Sequence, residues 1–181
     1  MTDCGHIFCS GGSYHFPNAG APMIRCRPKG TCSWDFILDG ERHHATLEFN
    51  WLSEQGAINA DGIRLEVQNH GMLTGHWTLE HAGKEFASAQ KCSAFTRTFE
   101  IQNPNGVFVL RAESAFGRRF RIEHSGDVIA TMYPDHPFTR RFSIDIRTQK
   151  WDLATVSFSF WLVVLIWRRA AQSGSAGGGA G

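Results

Sequence analysis

The chain has no dominant charge, few tyrosines and prolines, and no recognisable catalytic signature. Its 18 basic and 17 acidic side chains leave a net charge of +1, which excludes a strong nucleic-acid footprint. Six prolines among 181 residues, with 42% hydrophobic and only 19% charged side chains, exclude a disordered polymer. Five cysteines are an odd set and cannot all pair with one another. No charged leader with an apolar stretch opens the sequence, so no secretory signal is expected and free thiols in a reducing compartment are. There is no H-E-x-x-H, G-x-S-x-G, P-loop or dinucleotide fingerprint in context.

What the sequence does contain is aromatic bulk and alternation. It has 14 Phe and six Trp but two Tyr. Leu65 and Val67 alternate with Arg64, Glu66 and Gln68. Leu47, Phe49 and Trp51 do so around Glu48 and Asn50. Phe120 and Ile122 alternate with Arg119, Arg121 and Glu123, and Phe142, Ile144 and Ile146 with Arg141, Ser143, Asp145 and Arg147. Each run is the period-two signature of a half-buried strand. The VFVL run at 107–110 reads as a wholly buried strand. Asp39-Gly40, Asp61-Gly62, Ala82-Gly83, Asn105-Gly106 and Gly126-Asp127 are turn signals between the runs. About ten short strands at hairpin spacing predict an antiparallel sandwich or barrel, with no internal repeat of fixed period.

The ends differ from the middle. Residues 1–22 show no periodicity and read as a disordered leader, with Met23 as an alternative start. A patterned domain is expected over 23–170. Residues 171–181 read as a disordered Gly/Ser/Ala tail. Leu153–Trp167 carries fifteen residues without a charge, preceded by Asp152 as an N-cap and closed by Arg168-Arg169, which predicts a helix over 152–169. The uncharged stretch would be about 22 Å long as a helix, against a bilayer core of about 30 Å. It also contains Thr155, Ser157 and Ser159. A helix apolar on every side must be enclosed, and a sheet wrapped around it would do so. A short membrane anchor is the alternative, with Lys/Arg on both flanks giving no orientation.

These residues together resemble a family. KEFASAQK, FEIQNPNGVFVLRAE, FRIEHSGDVIAT, FTRRFSIDI and SFWLVVLIWRR, all within residues 84–169, are similar to the tubby C-terminal superfamily. That superfamily includes the tubby-like proteins, the phospholipid scramblases and the LURP-one-related proteins. The resemblance implies a closed antiparallel β-barrel of about 10–12 strands around a hydrophobic C-terminal helix. It also implies a non-enzymatic module that binds anionic phospholipid, or a protein, at a membrane surface. The calcium segment attributed to scramblases does not carry over, because no D-x-[DN]-x-[DN]-G loop is present. The tubby phosphoinositide site has no residue-by-residue counterpart here. Many LURP-one-related proteins have no known activity.

Charge points to the same later half. Residues 1–96 carry a net −3 and residues 97–181 a net +4. Arg118, Arg119, Arg121, Arg140 and Arg141 are the candidate lipid-binding group, with Arg97, Arg111 and Arg147 nearby. Guanidinium groups match phosphate. The competing reading pairs these arginines with Glu113, Glu123 and Asp145 across strands. No cofactor or nucleic-acid partner is expected. Cys4, Cys9, Cys26 and Cys32 could make a zinc site, although the second pair exceeds the usual spacing of about two to four residues. The nine histidines read as surface or structural, with His76 and His81 on opposite faces of a strand. Cys92 reads as a plain buried thiol. Phe95, Phe99, Phe108, Phe116, Phe120, Phe138 and Phe142 read as core. The expected location is cytoplasmic and peripheral to a membrane, with a membrane-anchored protein as the alternative. A small-molecule carrier or enzyme using the barrel interior is a further alternative.

Overall fold

The computed structural model describes residues 22–50, 52–71, 75–93, 96–149 and 151–175. Residues 1–21, most of the expected leader, and 176–181 of the expected tail lie outside these. Twelve strands precede one helix: β1 Met23–Pro28, β2 Phe36–Asp39, β3 His44–Phe49, β4 Gly56–Ala60, β5 Ile63–Asn69 and β6 His76–His81. They continue as β7 Lys84–Lys91, β8 Thr98–Asn103, β9 Gly106–Ala112, β10 Phe120–His124, β11 Asp127–Pro134 and β12 Phe142–Ile146, followed by α1 Leu153–Ser175. Every strand pairs antiparallel with its sequence neighbours, and β12 pairs with β1, so the barrel closes and leaves no edge. The Ile24–Ile144 and Cys26–Phe142 pairs set that closure.

Alternation decides the two faces. Inward residues such as Leu38, Leu47, Ile58, Val67, Leu79, Ile101 and Ile122 are completely buried. Charged partners on the same strands face water. The VFVL run departs from expectation. In β9, Phe108 and Leu110 are buried while Val107 is exposed, because the outer wall of this antiparallel barrel is solvated at that position. The expected turns appear at 61–62 and 82–83, and the one expected at Gly126-Asp127 falls one residue earlier, at 125–126, because Asp127 already belongs to β11; each has two successive residues in the left-handed region. Their φ values are 49° and 85° at Asp61-Gly62, 49° and 73° at Ala82-Gly83, and 52° and 89° at Ser125-Gly126. Such turns match the twist of the strands they join.

The strand connections sort by length onto two ends. Short turns at 40–43, 61–62, 82–83, 104–105 and 125–126 form one rim. Longer loops at 29–35, 50–55, 70–75, 92–97, 113–119 and 135–141 form the other. Helix α1 starts at the turn rim. Asp152 Oδ1 accepts the Thr155 N–H at 2.6 Å, the expected N-cap. Near that rim Asn103 Nδ2 donates to Thr155 Oγ1 at 2.6 Å, and Ser159 Oγ donates to the Thr155 carbonyl at 2.8 Å. Two of the three hydroxyl residues in the apolar stretch therefore have partners.

A barrel of this many strands is too wide for its own side chains to fill, and α1 occupies the space. Every residue from Val156 to Leu165 is at most 1% exposed, so all faces of the helix are covered. Phe160 meets Phe36 of β2 edge-on at 5.3 Å and Phe142 of β12 at 5.9 Å. Trp161 stacks on Phe49 of β3 at 4.8 Å. Leu153–Gln172 is long and apolar enough to cross a membrane by length and composition, yet most of that stretch is buried inside the protein. The helix ends at Ser175 rather than near Arg169, since Ala170 and Ala171 are strong helix formers.

Two stability experiments follow. Phe160→Ala removes an aromatic from the middle of this core and is expected to cost about 3–5 kcal/mol in urea unfolding, a large share of a typical domain's stability. Ala82 sits at positive φ without the side-chain chemistry that tolerates it. Ala82→Asn gives the favoured Asn-Gly turn and is expected to add about 0.5–1 kcal/mol in the same assay.

Candidate functional site

Four of the five candidate arginines, all but Arg121, lie in the rim of longer loops. Three triplets share one form: Arg97-Thr98-Phe99, Arg118-Arg119-Phe120 and Arg140-Arg141-Phe142. They recur at spacings of 21 and 22 residues, one per hairpin, a repeat that the alternation reading does not register. In each, the Phe lies at the start of an even-numbered strand, faces inward and is buried. The Arg two residues earlier lies on the same side of the chain, which sends it over the barrel mouth.

Each of these arginines holds the next loop around the barrel. Arg97 Nη1 donates to the carbonyls of Ala115 and Gly117 at 3.2 and 2.6 Å. Arg118 Nη1 donates to Pro137 and Thr139 at 3.0 and 2.8 Å. Arg140 donates to Thr31 at 3.1 Å and to Ser33. The guanidinium groups also lie over aromatic rings. Arg97 is 4.8 Å from the Phe120 centroid. Arg118 is 4.9 Å from Phe142 and 5.0 Å from Trp167. Arg140 is 4.6 Å from Trp34 and 5.8 Å from Phe36. Burial depresses the Arg97 side chain below its ordinary range, and burial with the neighbouring Arg140 charge does the same to Arg118. Guanidinium remains protonated throughout, so these are permanent cations enclosed among carbonyls and rings.

The clamped carbonyls flank a single residue in each loop. Ala115 and Gly117 flank Phe116, Pro137 and Thr139 flank Phe138, and Thr31 and Ser33 flank Cys32. With both neighbouring carbonyls drawn inward, the residue between points out. Phe116 is 98% exposed and Phe138 93%. Cys32 is exposed too. Leu52, in the 50–55 loop, is 75% exposed. Leaving a Phe in water forfeits roughly 1.5–3 kcal/mol of burial, so this display is costly for folding.

These positions correct the sequence reading. Phe99, Phe108, Phe120 and Phe142 are core, but Phe116 and Phe138 are not; Phe95 lies outside the described residues. The alternation rule applies to strands, and both exceptions are in loops held by distant side chains. Cys92 is exposed because β7 ends at Lys91. Cys26 faces the core, where burial first and then Asp135 and Asp39 push its thiol up. Cys26 and Cys32 therefore do not converge on one ion, and Cys4 and Cys9 fall outside the described residues. His43 bonds Asp61 at 2.7 Å and His44 bonds Asp39 at 2.8 Å, on the turn rim.

The five candidate arginines do not form one patch. Arg118 and Arg140 build the rim. Arg119 and Arg141, the middle residues of their triplets, are exposed, and Arg119 lies 5.5 Å from the Tyr133 ring. Arg121 is on the outer wall, 2.6 Å from Glu123, with Arg111 opposite it on β9. Arg147 lies 3.9 Å from Asp145. Neither ion pair crosses between strands: the first runs along β10, and the second joins β12 to the residue just after it.

Among the described residues, the six loops and the emerging helix end, 166–172, hold eight cations: Lys29, Arg97, Arg118, Arg119, Arg140, Arg141, Arg168 and Arg169. They hold four acids: Asp35, Glu54, Glu113 and Asp135. Three of these are engaged. Asp35 accepts the Phe49 N–H, Glu54 pairs with Arg169, and Asp135 accepts from Ser143. Between loop 113–119 and the helix end lies a hollow of about 440 Å³ lined by Arg97, Phe116, Arg118, Ile166 and Trp167.

Comparison of the chain with protein-family models, with curated proteins and with solved structures finds no match.

The clamp is directly testable. Arg118→Met keeps bulk but strands the Pro137 and Thr139 carbonyls. It is expected to cost about 2 kcal/mol and to speed amide exchange in 135–141 while 113–119 keeps its protection. Arg118→Lys is expected to restore little, because an ammonium does not stack on Phe142 and Trp167 as a planar group does.

Proposed function

We infer that this protein is a non-enzymatic module of the tubby-like kind that binds the anionic surface of a membrane through its loop rim. The observation that carries this is the rim's composition. A two-to-one excess of cations over acids shares one end with Phe116, Phe138 and Leu52, all strongly exposed. Among the described residues, the short turns and the chain leading into α1 at the opposite end carry Arg42 and Arg147 against Glu41, Asp61 and Asp152, with no cationic excess. Anionic lipid attracts such a cationic end by about 1 kcal/mol per Lys or Arg near the surface. Arg119 and Arg141 supply the exposed headgroup contacts. Arg97 and Arg118 hold the loops that carry them.

The fold class supports the membrane-surface reading over the alternatives. Helix α1 fills the interior, which removes the space a barrel-bound substrate needs. A membrane anchor would have to draw Val156–Leu165 out of the barrel and expose the inward faces of the strands. Family membership in the tubby-like superfamily rests on the resemblance of residues 84–169, with which a closed barrel around a C-terminal helix agrees.

Sedimentation with vesicles tests this reading. Binding to vesicles containing phosphatidylserine is expected, little binding to pure phosphatidylcholine, and a steep loss between low and physiological salt. Arg119→Glu with Arg141→Glu is expected to weaken binding at least roughly tenfold, whereas Arg121→Glu on the wall has little effect. Equal binding to neutral and anionic vesicles refutes it.

A further inference from the structure

The arginine clamps do more than close loops, because of where they leave the residues between them. A loose loop would let a phenylalanine fold back over the barrel mouth, where Ile166 and Trp167 offer half-buried apolar surface. Loops 113–119 and 135–141 do the opposite. Each is stiffened by its clamp, by local backbone bonds such as Thr139 N–H to the His136 carbonyl, and by Gly117 N–H to Ser114 Oγ. The loops present Phe116 and Phe138 outward at the end where the cations gather. Isolated apolar residues on a wall need no explanation. Two fully extended aromatics held by the same device, one hairpin apart, do.

Resting on the membrane reading above, we propose that Phe116 and Phe138 are a rigid aromatic wedge. They enter the boundary between headgroups and acyl chains of an anionic bilayer, with the barrel axis upright and the C-terminal end of α1 facing the membrane. The occupant is a bilayer because of the charge that surrounds the wedge. Arg119 lies three residues from Phe116, and Arg141 three residues from Phe138, so each aromatic tip has an exposed guanidinium beside it in sequence and on the same rim. Aromatic rings at acyl-boundary depth with cations at phosphate level match the layering of an anionic membrane surface. Clamping also lowers the ordering cost of insertion, since the loops are already fixed before contact.

The test separates depth from attraction. Phe116→Ser with Phe138→Ser leaves every cation in place. It is expected to weaken binding to phosphatidylserine-containing vesicles by roughly tenfold per phenylalanine, without changing the steepness of the salt dependence. Phe116→Trp with Phe138→Trp is expected to retain binding. Val107→Ser and Ile63→Ser, exposed apolar residues on the barrel wall, are expected to leave it unchanged.

Orientation is read separately, with Cys4, Cys9 and Cys92 replaced by serine and an environment-sensitive dye on Cys32. The dye is expected to shift to the blue on adding these vesicles. In the same background with Cys32→Ser, a dye on Ser125→Cys at the turn rim is expected not to shift. Binding to anionic vesicles that is indifferent to the Phe→Ser pair overturns the wedge and leaves the electrostatic reading standing. Absence of binding to any vesicle overturns both. A concentration-dependent dimer that the Phe→Ser pair abolishes, with no vesicle binding, assigns the rim to a second copy of this chain and overturns the proposal.

Discussion

Enclosure of one helix holds the molecule together. From Val156 to Leu165 no side of α1 meets water, so the helix is stable only inside something, and the closed twelve-strand sheet is that enclosure. The dependence runs both ways. The strands put a ring of large inward residues around an axis that their own side chains are too short to fill. Phe160 and Trp161 complete that packing against Phe36, Phe142 and Phe49. Neither element has a partner for its apolar face without the other, so the barrel and helix are one cooperative unit.

The same helix distinguishes the two ends of the barrel. It enters beside tight turns, where Asp152 caps it, and leaves among the longer loops, where Trp167, Arg168 and Arg169 meet the rim. Arg168 is almost fully buried and donates to the Asn50 carbonyl at 2.8 Å. Arg169 pairs with Glu54 and lies 5.3 Å from the Trp77 ring. The clamps of Arg97, Arg118 and Arg140 extend this pattern around the mouth. Carbonyls and aromatic faces there compensate cations that burial would otherwise disfavour. A structural network of this kind makes loops rigid, and rigid loops determine which side chains the end of the barrel displays.

Much of the fold was legible in the residues. Alternation in β5, β10 and β12, the turns at 61–62 and 82–83, and the uncharged run at 153–167 are all local signals, and each appears at the expected residues, while the turn expected at 126–127 lies one residue earlier. The site was legible only in part. Of the arginines named in the later half, Arg97, Arg118, Arg119, Arg140 and Arg141 lie in the rim loops, whereas Arg111 and Arg121 are on the wall and Arg147 is at the opposite end. Their division of labour was not visible. Arg118 and Arg119 are neighbours of identical chemistry, yet one is committed to two carbonyls of another loop and the other is exposed. The Arg-x-Phe triplets at 97, 118 and 140 were present as a pattern. Their meaning depends on which loop lies beside which.

The sequence by itself therefore determined the element types, the face each strand buries and the need to enclose the helix. All three follow from period, turn chemistry and charge along a few adjacent residues. Tertiary structure decided the fate of the loop side chains. Phe116 and Phe120 are four residues apart and equally hydrophobic, but one is 98% exposed and the other completely buried. Phe120 obeys the pleat of β10. Phe116 obeys hydrogen bonds from Arg97, 18 and 20 residues from the carbonyls it holds, and no local periodicity encodes a contact made across the mouth of a closed barrel.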